Sequence, residues 1–551
     1  TRNDRTGTQG VGVRSMKHEA IGNFTAELPH NYKWIVMGIV MIGTMMATLD
    51  SSIVNVSIPA IMADFGAGVD DIEWVLTGYM IAFATLMPLT AWLRDHLGYK
   101  TLFMGSLFVF TIGSLLCGAA WNLESLIGAR IVQALGGGAI APTGMAMISE
   151  VFPPQERGKA IGIWGVGIIM GPTFGPTLGG YLTKTFGWRS IFLVNLPLGI
   201  VALFAASALL IKDRPHASQH RSFDFWGFIF LSIFLVTFLL GLSKGEKEGW
   251  TSAYIVTCAM ISVVSLILFL VVESHVMNGI IDLHLFKYPV FSICSIIIVV
   301  RSVALFGGIF LLPLFLQQQM GFDEMQSGLI LMPGALMIML FMPITGRLGD
   351  RIGPRIPSII GVFLLAVSLF MYKNLDVNMS MYAVIQPTLV RGVGMGFLMA
   401  PIMAAALNSV PHSKAGMASS MLNIIMQVAG SIGIASLATV LANRIHYHLS
   451  VVGSAARIGT PAFMETARRV TGHVHGLGYT YGQSKQIANA LIAKKIAQTA
   501  TVMSFQDAFI VAGFIVSVAF ALAFFLPKRA VVQVTESTVK AEAMEESMIM
   551  E

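Results

Sequence analysis

The feature that most constrains this chain is a succession of about fourteen apolar stretches, each roughly 18 or more residues long. They begin near residues 33, 72, 100, 123, 156, 188, 224, 252, 289, 325, 355, 380, 412 and 504. A stretch of that length crosses a bilayer as an α-helix, because the helix satisfies its own backbone polar groups. Only 12% of the residues are charged, against about 25% in an average soluble domain. The sequence therefore predicts an all-α membrane protein with 14 transmembrane helices and argues against a water-soluble enzyme.

The short loops between the predicted helices indicate the orientation. Lys and Arg concentrate in the loops of one side, including Arg94, Lys100, Arg157 and Arg347. Because positive loops stay in the cytoplasm, we predict a multi-pass protein of the cytoplasmic (inner) membrane with both termini cytoplasmic. The long segment 443–503 then lies outside, where we expect its Ala-rich later part to run into the last helix. The basic residues are spread over many loops, so the lipid bilayer is an expected partner and nucleic acid is not.

Two landmarks recur along the chain at nearly the same spacing. The loop Ala91-Trp-Leu-Arg-Asp95-His-Leu-Gly98-Tyr-Lys100 matches Gly346-Arg-Leu-Gly-Asp350-Arg-Ile-Gly353-Pro-Arg355, 255 positions later. Arg130 and Arg391, each followed by several glycines and a proline, lie 261 positions apart. Two parallel halves around a central site are typical of alternating-access transporters. We predict a cytoplasmic segment 1–32, a six-helix bundle 33–211, a linker 212–288 with two extra helices, a second bundle 289–527 that includes loop 443–503, and a cytoplasmic tail 528–551.

Several of these motifs resemble a known family. The repeated loop, Arg130-x-x-Gln133 with Gly136, and the run Gly167-Ile-Ile-Met-Gly171-Pro172-Thr-Phe-Gly175-Pro176-Thr-Leu-Gly179-Gly180 look like the major facilitator superfamily. Leu49-Asp50-Ser51-Ser52-Ile53-Val54-Asn55-Val56-Ser57-Ile58-Pro59 is similar to the signature of its fourteen-helix drug:proton antiporters. Ala91 departs from the Gly of the family's loop motif. The outer loop is similar to that of EmrB-type pumps, a resemblance that implies a periplasmic adaptor protein and an outer-membrane channel as partners.

Asp50 lies inside the first predicted helix. An ionised carboxylate there costs about 2.5–3.5 kcal/mol unless it faces water or a partner. We expect Asp50 to bind the transported proton, the alternative being a structural role within the bundle. Arg130 is predicted at a similar depth, so we expect the two side chains to meet across the cavity. A carboxylate that is hydrated and sealed in turn can load and release a proton.

Other polar residues in apolar helices are expected to line the substrate cavity or to form hydrogen bonds between helices. They are Asn55, Gln133, Asn195, Arg301, Arg391, Asn423 and Gln427. If Arg301 and Arg391 both face the cavity, its field favours anionic or weakly acidic amphiphiles. A purely structural role for Arg391 is the alternative.

The repeated loops and the glycine-rich helix are expected to serve conformational change. The loop acids can cap a helix start or pair with arginine, forming a latch from Arg94, Asp95, Asp350 and Arg351. The fifth predicted helix has small residues at every fourth position, and its Gly167, Gly171, Pro172, Gly175, Pro176 and Gly179 predict a close helix interface. That interface either rocks between states, as the family resemblance implies, or is simply tightly packed.

These features predict a proton-coupled antiporter that exports hydrophobic or amphiphilic compounds, such as drugs and weak acids. The alternatives are a fatty-acid or lipid exporter on the same fold and, from another class, a non-transporting membrane sensor. No motif for hydrolysis or nucleotide binding is present, so we expect neither enzymatic activity nor a cofactor. The alternate histidines of the outer loop lack acidic or thiolate neighbours, so no metal site is expected.

Overall fold

A computed structural model describes residues 31–211, 223–276, 279, 281–411, 414–455 and 461–529. Thirteen helices in these ranges are long and apolar enough to cross a membrane. Two further helices, Asp71–Leu86 and Leu89–Leu97, meet at a bend of 54° and make a fourteenth span if they are counted together. The fold class predicted from the sequence is thereby confirmed. The predicted terminal segments 1–32 and 528–551, and linker positions 212–222, lie almost wholly outside the described residues.

The helices follow the predicted order, and most begin within a few residues of the expected position. They are α1 Tyr32–Phe65, α2 Val69–Leu86, α3 Leu89–Leu97, α4 Tyr99–Gly118, α5 Leu123–Val151, α6 Arg157–Phe186, α7 Ser190–Leu193, α8 Asn195–Leu209, α9 Phe225–Glu248, α10 Ala253–His275, α11 Pro289–Gln318, α12 Glu324–Ile352, α13 Arg355–Met371, α14 Met381–Asn408, α15 Ala415–Ala455, α16 Pro461–Gly476 and α17 Tyr481–Ala523. Capping boxes begin α5 at Asn122, α12 at Asp323 and α17 at Thr480. In these boxes a side chain satisfies backbone N–H groups that the first helical turn leaves free.

Both described ends of the chain lie on one face of the molecule. Lys33 pairs with Glu156 at 2.6 Å, just before α6, and the backbone N–H of Gly158 bonds Asp350 at 2.9 Å. Gly353, at the end of α12, packs against the carbonyl of Lys528. We call the face formed by these helix ends the latch face. An even number of crossings returns the chain to the side on which it started, so this arrangement is consistent with fourteen spans.

The two extra helices lie across one junction between the bundles. Leu231 and Leu235 of α9 pack in one cluster with Met87 of the first bundle and Ile424 of the second. Trp250 Nε1, just after α9, also donates to Thr439 Oγ1 of α15 at 3.1 Å. The outer side of α10 is apolar and exposed, with Met260, Val264 and Ile267 more than half accessible. Such a surface suits contact with lipid tails.

The segment 443–503 is mainly helical and extends α15 and α17 beyond the membrane-spanning length. These helices contain 41 and 43 residues. At 1.5 Å per residue each is about 60 Å long, twice the roughly 30 Å of a bilayer core. Both have one end at the latch face, so the extension projects from the opposite face. There α16 packs on α17, and His448 Nε2 of α15 lies 2.8 Å from Asp507 Oδ2 of α17.

Candidate functional site

Asp50 is completely buried within the first bundle and has three side-chain donors. Arg130 Nη1 donates to its Oδ2 at 2.6 Å. Gln133 Nε2 and Asn195 Nδ2 each donate to its Oδ1 at 2.8 Å. Arg130 and Gln133 share a face of α5 because three residues separate them, whereas Asn195 is the first residue of α8. The carboxylate is therefore held by α5 and α8 against α1.

The surroundings of Arg130 compensate its burial. Its guanidinium carbon lies 3.9 Å from the centre of the Tyr79 ring, a cation–π arrangement. Its Nη1 also donates to Gln133 Oε1 at 2.5 Å, and its Nε to the Val75 carbonyl at 3.4 Å. A buried ion pair is tolerated when further hydrogen bonds satisfy its remaining donors and acceptors. We call Asp50, Arg130, Gln133 and Asn195 the buried ion-pair cluster.

The position of this cluster differs from the expectation in one respect. Asp50 and Arg130 meet inside the first bundle rather than across a cavity between the bundles. Gln133 and Asn195 point to the same place, where they bond the carboxylate instead of lining the cavity. The physical reason is that two buried charges need several polar partners, and the interior of one bundle supplies them together.

A separate cavity of about 540 Å³ lies between the bundles. Its walls come from α1 and α6 on one side and from α11, α12, α14 and α15 on the other. The volume is in the range of sites for drug-sized ligands, about 300–1,000 Å³. The lining is largely apolar, and Asn55 contributes to it as expected. It runs from Ile161, one turn above the latch face, to Gln317 near the opposite face.

Arg301 and Arg391 are the charged side chains in this lining, taken over the residues that the structure describes. They are only 2% and 8% exposed. Arg301 Nε and Nη1 and Arg391 Nη1 have no hydrogen-bond partner within the described chain. Arg301 Nη2 reaches only the Met426 sulfur, at 3.5 Å. Unlike Arg130, these two arginines carry unsatisfied donors beside an apolar space.

The two α15 residues expected to line the cavity, Asn423 and Gln427, are not among its lining residues, although Met426 between them is. Asn423 is buried and donates to the Ser419 carbonyl at 2.8 Å, with the Met145 sulfur of α5 at 3.8 Å. Asn423 therefore forms hydrogen bonds within the helix bundle, the second of the two roles expected for it, instead of lining the cavity. Gln427, one turn further along, is partly buried, and its backbone carbonyl accepts from Ser431.

Asp350 joins the two bundles at the latch face. Its carboxylate accepts from the backbone N–H groups of Gly158 and Lys159 at the start of α6, each at 2.9 Å. The acid of the second bundle thus caps a helix of the first and is stabilised by that helix's dipole. Arg157 donates to Asn408 of α14 at 2.9 Å, which adds a second bond between the bundles on this face. The cavity is therefore closed on the latch side.

The first copy of the loop behaves differently. Arg94 Nε donates to the neighbouring Asp95 at 2.8 Å. The Arg94 guanidinium lies against Gly416, near the start of α15, where an added Cβ would overlap Nη1. Gly416 follows Gly158 by 258 positions, so both loops reach equivalent helix starts in the opposite bundle. Arg351 is exposed. Of the four residues expected in the latch, Asp350 and Arg94 thus contact the opposite bundle, whereas Arg351 faces outward.

The glycine stripe of α6 packs on α1 beside Asp50. A Cβ on Gly171 would lie 2.4 Å from the Thr48 carbonyl carbon, and one on Gly175 would lie 2.6 Å from the Ser52 side chain. Gly167 and Gly179 also face α1, against Met41 and Ile53. The interface predicted for this stripe is therefore with a helix of the same bundle. Pro172 and Pro176 face the cavity instead.

A second small-residue face of α6, which the sequence analysis missed, meets the other bundle. Gly158, Gly162 and Gly165 lie within contact distance of α12, where Gly346 and Met342 approach them. Their spacing of four and three residues follows the same helical rule as the stripe already recognised. The spacing was therefore visible in the sequence, although the partner helix was not.

The comparison with family models identifies the chain. Residues 40–434 match the model described as Major Facilitator Superfamily. The chain belongs to this superfamily. The match runs from α1 through the first bundle and the inserted pair into α15 of the second bundle, and membership makes the protein a multi-pass membrane transporter.

Individual relatives agree with this assignment. The chain is 34% identical over 481 residues to the Multidrug resistance protein B homolog of Mycobacterium tuberculosis, covering 84% of this chain and 88% of the relative. It is 34% identical over 419 residues to the Riboflavin transporter RibZ of Clostridioides difficile, covering 76% and 90%. The crystal structure of the human organic anion transporter MFSD10 (TETRAN) superposes with a TM-score of 0.59 at 14% identity, covering 90% of this chain and 100% of that one. This last likeness shows the fold alone.

Proposed function

We propose that this transporter is a proton-coupled antiporter that exports hydrophobic or amphiphilic compounds across the cytoplasmic membrane. Asp50 binds the proton, and cargo occupies the cavity between the bundles. The observation that carries the proposal is the placement of α1. One side of this helix holds the buried Asp50–Arg130 pair, and the other side lines the cavity with Ser52 and Asn55. Relatives with multidrug names support export as the direction of transport.

Helix α6 connects the parts that must act together. Its first turn is capped by Asp350, and its middle lines the cavity with Pro172 and Pro176. Gly171 packs on α1 at Thr48, two residues before Asp50. When the latch opens, movement of α6 shifts α1, opens the ion-pair cluster to water and lets the carboxylate take up a proton. Coupling then passes through helix packing rather than through direct contact between proton and cargo.

One proton per cycle supplies enough free energy for useful export. A proton that moves down the membrane potential yields about 2.3 kcal/mol per 100 mV. At about 1.4 kcal/mol per tenfold change, this supports roughly a forty-fold concentration gradient of cargo. A single proton-binding acid is therefore sufficient.

The proposal places the latch face, with both termini, in the cytoplasm. The closed latch and the cavity lining that reaches the opposite face then correspond to an outward-facing state, which releases cargo. The projecting ends of α15, α16 and α17 form the surface that we propose contacts a periplasmic adaptor protein, which would in turn join an outer-membrane channel. Their length beyond the bilayer supports this assignment.

The test is proton flux in proteoliposomes that contain the purified protein and a pH-sensitive dye. Wild-type protein is expected to move protons when an amphiphile is added, and Asp50→Asn to reduce that flux at least about tenfold, because it cannot carry the proton. Asp64→Asn is the matched control, since Asp64 also pairs with an arginine, Arg189, at 2.9 Å but lies near the end of α1 with its side chain 45% exposed. A wild-type rate in Asp50→Asn contradicts the assigned role.

The choice of added compounds separates the remaining possibilities. A fatty-acid or lipid exporter is the second candidate, favoured by the apolar cavity lining. The panel therefore contains a cationic dye, a weakly acidic drug, a fatty acid and riboflavin, the last because of the riboflavin-transporting relative. A proton flux that follows only the fatty acid selects the second candidate. No compound-dependent flux in wild-type protein refutes antiport and favours a membrane sensor.

A further inference from the structure

The internal repeat relates the buried ion-pair cluster to a position in the second bundle. Arg391 is the counterpart of Arg130, 261 positions later. Residue 308, which is 258 positions after Asp50, is a glycine. Asp50 and Gly308 lie 18 and 19 residues after the first residues of α1 and α11, so the two helices agree in register. The second bundle therefore has a glycine where the first has its acid.

In both bundles the arginine reaches this position on the first helix. A Cβ built on Gly308 would lie 2.6 Å from Arg391 Nη1. In the first bundle, Arg130 Nη1 lies 2.6 Å from the Asp50 carboxylate. Arg391 Nη1 thus occupies the place where a side chain on Gly308 would begin, and it has no hydrogen-bond partner among the described residues.

Arg301 adds a second unsatisfied charge to the same cavity. It precedes Gly308 by seven residues on α11, so both lie on one helix face. Arg301 and Arg391 both line the central cavity, where the described lining contains no acidic side chain. Leaving two guanidinium groups buried and unpaired is unfavourable, and an anion that enters the cavity relieves it. Apolar side chains of the same lining, such as Leu305 and Ile338, suit the rest of an amphiphilic molecule.

We propose that Arg391 and Arg301 form an anion-binding site in the central cavity, where they bind the single carboxylate of an amphiphilic cargo. The cargo supplies the acid that the repeat omits. The inference rests on the proposed function, because it names the class of compound that the exporter takes. It also accounts for the difference between the bundles, since one keeps its acid for the proton and the other leaves the position to the cargo.

The test measures equilibrium binding in nanodiscs, without a gradient or transport. The probes are a dansyl-labelled undecanoic acid and its methyl ester, which differ only in the charged group. Wild-type protein is expected to bind the acid about tenfold to a hundredfold more tightly than the ester, as expected for charge-assisted hydrogen bonds. Gly308→Asp supplies an internal carboxylate and is expected to remove this preference. Gly308→Asn has nearly the same shape without the charge and is expected to keep it.

Ester binding reports whether each variant is folded, because it does not depend on the charge. Equal binding of acid and ester by wild-type protein, or a preference that persists in Gly308→Asp while ester binding is intact, overturns the proposal. If neither Gly308 variant binds the ester, Arg391→Gln is tested instead. Retention of the acid preference in Arg391→Gln also overturns the proposal. Loss of proton flux with the acid preference retained refutes antiport alone, whereas intact flux with equal binding refutes the anion site alone.

Discussion

Replacement of Asp350 by Asn tests whether one side chain keeps the bundles together at the latch face. The carboxylate accepts two backbone hydrogen bonds, both at 2.9 Å, from the first turn of α6. Asn keeps one acceptor oxygen and loses the negative charge that the helix dipole favours. Caps of this kind contribute roughly 0.5–2 kcal/mol, and we expect the substitution to cost about 1.4 kcal/mol. The ratio of closed to open latch then falls about tenfold.

This change is measured as a distance distribution between spin labels on the two bundles. Gln155 and Arg351 are exposed on the latch face and suit the labels. Starting from a closed-to-open ratio of about 99 to 1, a tenfold fall leaves about 91% closed, with a new population at longer distance. The control is Asp376→Asn, since Asp376 also accepts a backbone hydrogen bond, from Asn378 at 2.8 Å, but joins no second bundle. Distributions that coincide for the two variants refute the assignment of Asp350 as the latch.

Two further predictions concern packing and pH. Gly171→Ala brings a Cβ to 2.4 Å from the Thr48 carbonyl carbon, so it is expected to cost about 1–3 kcal/mol of stability and to slow transport. The control Gly38→Ala, which has open space around it, is expected to leave the thermal midpoint and the flux unchanged. Equal effects of the two substitutions refute the packing argument. Burial raises the pKa of Asp282, but the hydrogen bond and charge of Lys414 outweigh it and hold that pKa below its usual value. The pair therefore stabilises the protein above about pH 4 and loses this contribution as the pH falls through the lowered pKa. Melting curves are expected to show Lys414→Gln as less stable than wild type at pH 7, with the difference shrinking as the pH falls below about 4. A difference that does not change with pH contradicts the assignment.

The fold was largely predictable, because apolar length reports a membrane-spanning helix directly. The exception is the last helix, which begins at Tyr481 rather than near residue 504. Its first part is polar and Ala-rich, so hydropathy does not detect it, although composition indicated a helix that runs into the final span. The helical nature of α16 was not predicted, since it has neither an apolar run nor a family motif.

The site was predictable only in part, since depth in the membrane does not specify which way a side chain points. Counting residues along the helices predicted that Asp50 and Arg130 lie at the same depth in the membrane, and their side chains are in contact. It did not reveal that Gln133 and Asn195 complete the same cluster, because that depends on how α5 and α8 rotate against α1. The importance of Gly308 was hidden for another reason. A missing side chain becomes informative only when its counterpart and its neighbour Arg391 are both located.

The inserted pair of helices makes the surroundings of the cavity unequal. Two six-helix bundles meet at two junctions. Helix α9 covers the junction between α2 and α15, where it packs in one apolar cluster with Met87 and Ile424. Cargo dissolved among lipid tails is screened from the interior on that flank. The opposite junction, between α6 and α12, is not covered by the inserted pair, so the close contact of Gly158 and Gly162 with α12 alone separates the interior from lipid there.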